Sequence, residues 1–237
     1  MHLYVLRHSD PLYEGDGLTD IGYKEAEVVA KRLKDKGVTH IYSSHAIRAK
    51  ESARVTSEAT GIEITVYPWL LEPGHLRIEQ EGKRYVLWDT FGELVRGSEE
   101  VPTYQNWTEL PPFNSPDVSL MWNDFRRNAD ELLASHGYSR EGNRYRIVAK
   151  NDHRIAVFSH GGTVLLFLAH LLLLPVSLTW CGFYSRPSGL TDFLFEEHSE
   201  DWAVPRAIQV ADVSHLLANG LTPQPRGMGN WFEDFRY

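Results

Sequence analysis

Two arginines and two histidines stand where the sequence pattern predicts that strands end and helices or loops begin. Arg7 and His8 follow one apolar run, and His160 follows another. Arg48 lies in the first turn of a predicted helix that comes directly after a short predicted strand. Because ligands bind beyond the carboxyl ends of strands in open α/β sheets, these side chains are candidates for a binding or catalytic site.

These residue types suit the binding of a phosphate group. The N-terminus of a helix attracts anions, and a guanidinium there, such as that of Arg48, can add two-point contacts to phosphate. Gly161 and Gly162, which follow His160, let the backbone approach a ligand closely. Each feature taken alone also has an ordinary structural interpretation: a surface Arg-His dipeptide, a solvated arginine, and a capping or core histidine.

Together, the motifs resemble those of the histidine phosphatase superfamily, which has the phosphoglycerate mutase-like fold. The matching stretch runs from residue 3 to about residue 163, although residues 73–154 carry no motif. The shared elements occur in the family order: Leu6-Arg7-His8, Leu18-Thr19-x-x-Gly22-x-x-x-Ala26, Ser43-Ser44-x-x-x-Arg48-Ala49 and Ser159-His160-Gly161.

The resemblance implies that His8 is a nucleophile. In such enzymes a neutral imidazole attacks phosphorus and forms a phosphohistidine, which water then hydrolyses. Arg7, Arg48 and His160, with the backbone at Gly161, are implied to bind the phosphate oxygens, which carry the charge during phosphoryl transfer. Because protein cations fill that role, no metal and no cofactor are expected.

The leaving oxygen needs a proton, and His160 and a carboxylic acid are the implied partners of His8 in catalysis. The family usually places the acid after the third strand or just after the second histidine, where this chain has only glycines and a threonine. Glu72 matches the first place, and its apolar neighbours could raise its pKa to a value suited to donation. Glu14 and Asp10 are alternative acids, and an ordinary loop carboxylate is the alternative interpretation of Glu72.

Three positions depart from the family pattern. Ser9 follows the nucleophile where the family often has glycine, and Glu25 stands where a glutamine is common. Glu14 occupies a place where many members have an asparagine that contacts phosphate. Since a carboxylate there would repel phosphate unless it were protonated or turned away, that one contact is not carried over.

The resemblance therefore predicts a metal-independent phosphohydrolase of histidine acid phosphatase type, which cleaves a small phosphomonoester. A phosphoglycerate mutase is the first alternative; mutases of the family typically follow the acid with an Arg-His-Tyr-Gly-like element, whereas Pro-Gly-His follows Glu72. A non-catalytic module that binds a phosphorylated ligand or a partner is the second. Degenerate members normally lose the nucleophile or an arginine, but His8, Arg7 and Arg48 are all present. The expected partner is a small phosphorylated metabolite.

Composition narrows the class of partner and the compartment. The 237 residues carry 24 Lys and Arg against 32 Asp and Glu, a formal charge of −8, which argues against nucleic acid or an anionic membrane as a general partner. Cys181 is the only cysteine, so no intrachain disulfide can form. With no secretory signal in the pattern at Met1, a reducing, cytoplasmic location is expected. An oligomer is compatible with the sequence.

The eleven histidines do not predict a metal site. Most of them lie far apart along the chain and lack the spacing of a ligand motif. The scattered ones are His136, His153, His170, His198 and His215.

Alternating strands and helices must position the candidate residues. Strands are predicted at residues 2–6, 40–42, 63–67, 154–158, 190–196 and 203–210, and helices at 20–35, 46–59, 118–136 and 161–174. This alternation predicts an α/β fold, a three-layer sandwich with a mostly parallel central sheet and helices on both faces. Residues 1–237 form one predicted domain.

Residues 73–116 interrupt the alternation and are rich in Pro, Gly, Trp and acidic residues. A long, weakly periodic connection within a compact domain is typical of a lid or binding loop. We therefore predict an inserted lid at about residues 73–116. Its aromatic residues cover an apolar part of the substrate or form a satellite core, and both interpretations remain open: Trp88, Phe91, Trp107 and Phe113.

Overall fold

Alternating side chains of the first strand face two different layers of helices. In β1 (His2–Arg7), Leu3 and Val5 belong to one core cluster, and Tyr4 and Leu6 belong to the other. Because successive residues of a strand point to opposite faces, β1 must lie inside a sheet that is covered on both sides. The computed structural model describes residues 1–226 and has this arrangement; residues 227–237 of the predicted domain lie outside the described residues.

Within residues 1–226, eight strands form the central sheet, and two short hairpins lie apart from it. The remaining strands are β2 (Pro11–Leu12), β3 (Gly17–Leu18), β4 (His40–Ser43), β5 (Ile64–Val66), β6 (Arg77–Gln80), β7 (Lys83–Val86), β8 (Tyr138–Glu141), β9 (Arg144–Ile147), β10 (Arg154–Ser159), β11 (Leu190–Glu196) and β12 (Trp202–Asp212). The central order is β5-β4-β10-β1-β11-β12-β9-β8, and the hairpins are β2-β3 and β6-β7.

The predicted α/β sandwich is confirmed, but its sheet is mixed rather than mostly parallel. Neighbouring strands are parallel from β5 through β4 and β10 to β1, and antiparallel from β1 through β11, β12 and β9 to β8. The short connections β8-β9 and β11-β12 explain the difference, because a tight turn joins only antiparallel strands. The β8-β9 hairpin, which has no match among the predicted strands, extends the antiparallel half.

The helices cover both faces of the sheet. They are α1 (Asp20–Asp35), α2 (Ile47–Thr60), α3 (Gly92–Arg96), α4 (Pro116–Ser135), α5 (Gly161–Leu172), α6 (Val176–Gly182) and α7 (Ser214–Ala218). Val29 and Leu33 of α1 and Ala53 of α2 pack in the cluster of Tyr4. The apolar faces of α4 and α5 pack in the cluster of Leu3.

Local sequence explains where the first helix begins. Thr19 is the N-cap of α1, and its Oγ1 accepts a hydrogen bond of 3.0 Å from the backbone N–H of Gly22. That bond satisfies one of the helix's free N–H groups. Gly22 is also required for packing, because a Cβ there would lie 2.3 Å from the Asp10 carbonyl oxygen. The helix therefore fixes the turn that follows β1.

The predicted insertion is partly built into the core. Residues 73–116 contain β6, β7, α3 and a 3-10 turn at Leu87–Asp89. Leu87, Trp107 and Phe113 are fully buried in the main core, where Trp107 and Phe113 form an edge-to-face pair at 5.5 Å. Trp88 is half-buried and packs against that core. The aromatic residues of this segment thus have two roles. Trp107 and Phe113 pack in the core, and of the four predicted residues only Trp88 lines the cavity described below.

The most apolar helix is α5, which lies in the core. Within residues 1–226, no helix is both long enough and apolar enough to cross a membrane. The side chains of α5 instead pack between the sheet and α4.

Candidate active site

Three parallel strands bring the candidate residues to one edge of the sheet. β1 pairs with β10 so that Arg7 lies opposite Ser159, and His8 and His160 are the next residues along. β4 pairs with β10 on its other side, and the Ser44 N–H donates to the Phe158 carbonyl at 3.0 Å. The structure therefore brings these strand ends together as the sequence predicts.

His8 is held in one tautomer. Its Nδ1 lies 2.8 Å from the Ser9 carbonyl oxygen, which can only accept, so Nδ1 carries the proton. The lone pair is then on Nε2, which accepts a 3.1 Å hydrogen bond from Arg48 Nε. Burial, and then the charge of Arg7, hold the pKa of His8 well below its usual value. His8 is therefore a neutral imidazole with a defined nucleophilic nitrogen.

Arg48 occupies the centre of the cluster. Its Nε contacts His8 Nε2, its Nη2 lies 3.0 Å from His160 Nδ1, and its Nη1 forms an ion pair with Asp16. Asp16 also accepts a 2.8 Å hydrogen bond from the backbone N–H of Ile47, at the start of α2. The carboxylate thus ties the guanidinium to the helix N-terminus and fixes its plane.

Asp16 is a residue that the sequence analysis missed. It lies in the turn between β2 and β3 with a φ of 58°, in the left-handed region that aspartate tolerates better than most residues. The Gly15-Asp16-Gly17 sequence indicates such a turn, but not that it would contact Arg48.

Arg7 forms another part of the cavity wall. Its Nη1 donates to the carbonyl oxygens of Ser185 at 2.7 Å and Arg226 at 2.8 Å. Its Nε is buried and has no hydrogen-bond partner within residues 1–226. A Cβ at Gly161 would lie 3.5 Å from the Arg7 guanidinium, so the two stand in contact. The two carbonyl oxygens hold the guanidinium in place, and it lines the cavity together with Gly161.

His160 meets the other residues but is fully buried and does not line the cavity. Because arginine can only donate, His160 Nδ1 accepts from Arg48, and its Nε2 donates to Ser44 Oγ at 2.8 Å. Its ring stands edge-on to His8 at 5.2 Å. Burial and the charge of Arg48 lower its pKa well below the usual value. In this arrangement His160 positions Arg48.

Glu72 is the one of the three candidate acids that lines the cavity. Its Oε1 accepts a 2.6 Å hydrogen bond from the Gly162 N–H in the first turn of α5. Burial raises the pKa of its carboxyl group, and this outweighs the opposing effects of the Gly162 N–H and of the cations Arg7 and Arg48. The Glu72 carboxyl group therefore stays protonated at pH values at which an ordinary glutamate is ionised.

The other two candidate acids are placed differently. Asp10 is buried, forms an ion pair with Arg226 at 2.8 Å, and accepts from Thr19 Oγ1 at 2.7 Å. Glu14 is exposed and is not part of the cavity wall. A second carboxyl group that does line the cavity is Asp89, whose pKa burial raises to about 6. Asp89 could not be predicted from the sequence, because it lies in the segment without motifs.

Ser9 and Glu25 form a buried polar group behind the nucleophile. The Ser9 N–H donates to Ser52 Oγ at 2.9 Å, and the Asp10 N–H donates to Glu25 Oε2 at 2.9 Å. Ser188 Oγ lies 2.8 Å from Ser9 Oγ and 3.0 Å from Glu25 Oε2. These two departures from the family pattern therefore hold the turn that presents His8.

The cavity itself has a volume of about 210 Å³. Its wall includes the basic groups of Arg7, His8 and Arg48 and the carboxyl groups of Glu72 and Asp89. The rest of the wall is largely aromatic: Tyr13, Trp88, Trp180, Phe183 and Tyr184.

Two of the histidines that are scattered along the sequence, His136 and His153, lie close together in the structure. Both meet His40 at the amino ends of β4 and β10. This cluster lies at the opposite edge of the sheet from the cavity, and it is described further below.

Known proteins with similar sequences align with part of this chain. Probable phosphoglycerate mutase GpmB from Yersinia pestis strain Pestoides F is 31% identical over 81 residues, and so is the same protein from Yersinia pseudotuberculosis serotype O:1b. Each alignment covers 30% of this chain and 38% of the relative's length. The chain therefore matches less than half the length of these relatives.

Solved structures share the fold over most of the chain. A phosphoserine phosphatase mutant from Entamoeba histolytica in complex with phosphoserine has a TM-score of 0.61 at 19% identity, with 91% of this chain and 98% of that chain covered. A mycobacterial glucosyl-3-phosphoglycerate phosphatase has a TM-score of 0.57 at 21% identity, covering 88% and 97%. The α-ribazole phosphatase from Shigella flexneri has a TM-score of 0.55 at 18% identity, covering 87% and 95%.

A family model also matches most of the chain. The model described as histidine phosphatase superfamily (branch 1) matches residues 3–204. That range includes both histidines, both arginines and the candidate acid of the cavity. The chain belongs to the histidine phosphatase superfamily.

Proposed function

We propose that this chain is a phosphohydrolase that cleaves a small phosphomonoester through a phosphohistidine at His8, with no metal in the chemical step. The observation that carries the proposal is the fixed tautomer of His8. Its Nδ1–H bond to the Ser9 carbonyl leaves the Nε2 lone pair beside Arg48. A neutral nitrogen held against a cationic phosphate site is the arrangement that nucleophilic attack on phosphorus requires.

In the first step, the lone pair of His8 Nε2 forms a bond to phosphorus as the ester P–O bond breaks. The electron pair of that bond stays on the leaving oxygen, which takes the proton of the Glu72 carboxyl group. The guanidinium of Arg48 moves its hydrogen bond from Nε2 to a phosphate oxygen, and Arg7 binds another. Asp16 and His160 hold Arg48 in place from two sides.

In the second step, the Glu72 carboxylate takes a proton from water while the water oxygen bonds to phosphorus. The P–Nε2 bond breaks, its electrons return to the imidazole of His8, and inorganic phosphate leaves. Glu72 ends protonated and His8 ends neutral, so the cycle closes. The raised pKa of Glu72 suits a group that first gives a proton and then takes one back.

We infer that the substrate is a small phosphorylated metabolite. The cavity volume of about 210 Å³ is below the roughly 300–1,000 Å³ of sites for drug-sized ligands. Fold neighbours include phosphatases of phosphoserine and of glucosyl-3-phosphoglycerate, and one neighbour was crystallised with 3-phosphoglyceric acid. These names suggest the first compounds to assay.

Phosphate release from an aryl phosphate in excess EDTA tests the proposal. Wild type should turn over and should carry phosphate on His8 after rapid acid-free quenching and mass analysis, whereas His8→Ala should do neither. Glu14→Gln, an exposed change outside the cavity, is the matched control. Turnover that persists in His8→Ala would refute the mechanism.

Phosphoglycerate mutase activity is the second candidate function. It is favoured by the relatives named probable phosphoglycerate mutase, which are 31% identical over 81 residues. The two activities share the first step and differ in whether water or a second hydroxyl receives the phosphoryl group. Isomerisation of 3-phosphoglycerate faster than phosphate release would favour the mutase. Absence of both reactions and of phosphohistidine would instead favour a binding module.

A further inference from the structure

Three histidines that are far apart in sequence meet at the edge of the sheet opposite the cavity. His40 begins β4, His136 ends α4, and His153 directly precedes β10. One ring nitrogen from each lies within 4.8 Å of the others. Since β4 has four residues and a strand rises about 3.3 Å per residue, the cluster lies roughly 13 Å from the catalytic edge.

The rings face one another through nitrogen atoms. His136 Nδ1 lies 2.9 Å from His153 Nδ1, a distance at which the two nitrogens share at most one proton. At least one lone pair therefore points into the cluster. Ring centroids are 4.6–5.1 Å apart, so protonating all three imidazoles would place like charges in contact. Neutral imidazole is the form that binds metal ions.

Hydrogen bonds on the outer side hold the rings in this orientation. His136 Nε2 lies 2.8 Å from Tyr42 Oη, and His40 Nδ1 lies 2.8 Å from Thr39 Oγ1. Asn151 donates to the His136 carbonyl at 2.7 Å and accepts from the His153 N–H at 3.0 Å. A partner on the second ring nitrogen orients a metal-binding histidine. The Asn151 bonds fix the backbone that carries His136 and His153.

We propose that His40, His136 and His153 bind one divalent transition-metal cation, with Zn²⁺ as the best match and water as a fourth ligand. Tetrahedral Zn²⁺ with Zn–N bonds of about 2.0–2.1 Å places its nitrogen ligands about 3.3–3.4 Å apart. The nitrogens of the cluster lie from 2.9 Å to at most 4.8 Å apart, so small ring rotations suffice. Within residues 1–226 the cluster contains no carboxylate, which disfavours Mg²⁺ and Ca²⁺.

The position of the site indicates a structural role. An ion there would link the start of β4, the end of α4 and the segment before β10. His40 and His153 are partly exposed, which gives the ion a path from solvent, whereas His136 is buried. Because the cluster is remote from His8, the ion would stabilise the fold without entering the phosphoryl transfer step.

Zinc titration of the full, tag-free chain after EDTA treatment and removal tests the site. Isothermal titration calorimetry with Zn²⁺ alone should give one site per chain, and Co²⁺ should give the visible absorption of a four-coordinate ion. Zn²⁺ at 100 times its Kd should raise the Tm by about 5–10 °C. His153→Ala and His40→Ala should each weaken binding by at least about 100-fold, beyond the 10–100-fold that loss of an outer-shell partner causes.

Two controls separate this cluster from other histidines. His198→Ala removes an exposed histidine outside the cluster and should bind Zn²⁺ as wild type does. His8→Ala should also retain the site. The proposal is overturned if wild type binds no stoichiometric Zn²⁺, if both cluster variants bind as well as wild type, or if only His8→Ala loses the ion.

Discussion

Glu72→Gln tests whether one buried carboxyl group delivers the proton to the leaving oxygen. The amide oxygen of glutamine can still accept the 2.6 Å hydrogen bond from the Gly162 N–H, so the cavity should keep its shape. What is lost is the acidic proton, and general acid–base catalysis contributes about 10²–10⁴-fold to rate. We expect a kcat/KM loss of that size on an alkyl phosphate, whose leaving oxygen needs the proton.

An aryl phosphate provides the internal comparison. A phenol with a low pKa leaves without a proton from Glu72, so phosphorylation of His8 in Glu72→Gln should slow by less than about 10-fold. Hydrolysis of the phosphohistidine needs the Glu72 carboxylate as a base, so that step should slow strongly. Rapid-quench measurement should then show a burst followed by accumulated phosphohistidine. Equal losses on both substrates, with no accumulation, would refute the reasoning.

The pH profile gives a second readout of the same variant. Because burial raises the pKa of Glu72, wild-type activity should persist above the usual pKa of 4.5 and fall as the pH passes the raised value. Activity should not fall as the pH drops through 6.5, because the pKa of His8 is held well below that value by burial and by Arg7. Glu72→Gln should lack the alkaline limb. Asp89→Asn, on the same cavity wall, is the matched control and should keep it.

Three further predictions concern the groups around the site. Asp16→Ala frees the Arg48 guanidinium. Since hydrogen bonds to charged groups contribute about 1.5–3 kcal/mol, kcat/KM on an aryl phosphate should fall roughly 10- to 100-fold. An unchanged kcat/KM would mean that the ion pair does not position the guanidinium. Gly162→Ala places a Cβ 2.8 Å from Trp88 Cε3, so turnover of an alkyl phosphate should fall. Gly92→Ala is the tolerated control, because it lies outside the cavity wall and its Cβ would have its nearest contact at 3.7 Å. Burial raises the pKa of Glu25 from 4.5 to about 7, so between pH 4.5 and pH 7 the folded state binds a proton that the unfolded state lacks. The free energy of unfolding should therefore fall by about 3 kcal/mol as the pH rises from 4.5 to 7. Urea melts at several pH values should show a smaller fall in Glu25→Gln, and an equal fall in both proteins would contradict the shift.

The sequence pattern of a single strand and the loop or helix after it is enough to predict those site residues that directly follow the strand. His8 and His160 could be placed because a buried strand followed by a loop or helix fixes where its next residue lies. Glu72 could be placed only by its position in the family pattern. Asp16 and Asp89 could not be placed, because each reaches the cavity through a turn or an insertion whose path is set by tertiary packing.

The same reasoning explains the elements that the pattern missed. The β8-β9 hairpin consists of charged and polar residues with two buried tyrosines, Tyr138 and Tyr145, and so lacks an apolar run. Its place at the edge of the sheet is set by pairing with β12. In the segment 73–116, Trp107 and Phe113 look like lid residues in sequence because both are buried against Trp180 of α6, which is distant along the chain.

The two proposed sites share β4, so a metal chelator can act on the protein in two ways. EDTA would leave a phosphohistidine mechanism intact at the catalytic edge, yet it would remove a stabilising ion from the His40 cluster. Loss of activity in EDTA could therefore reflect unfolding. His153→Ala separates the two effects, because it has no ion to lose: its activity below its own Tm should be the same with and without EDTA. If EDTA abolishes turnover equally in wild type and in His153→Ala, at a temperature where both are folded, a metal takes part at His8 and the metal-free mechanism is wrong.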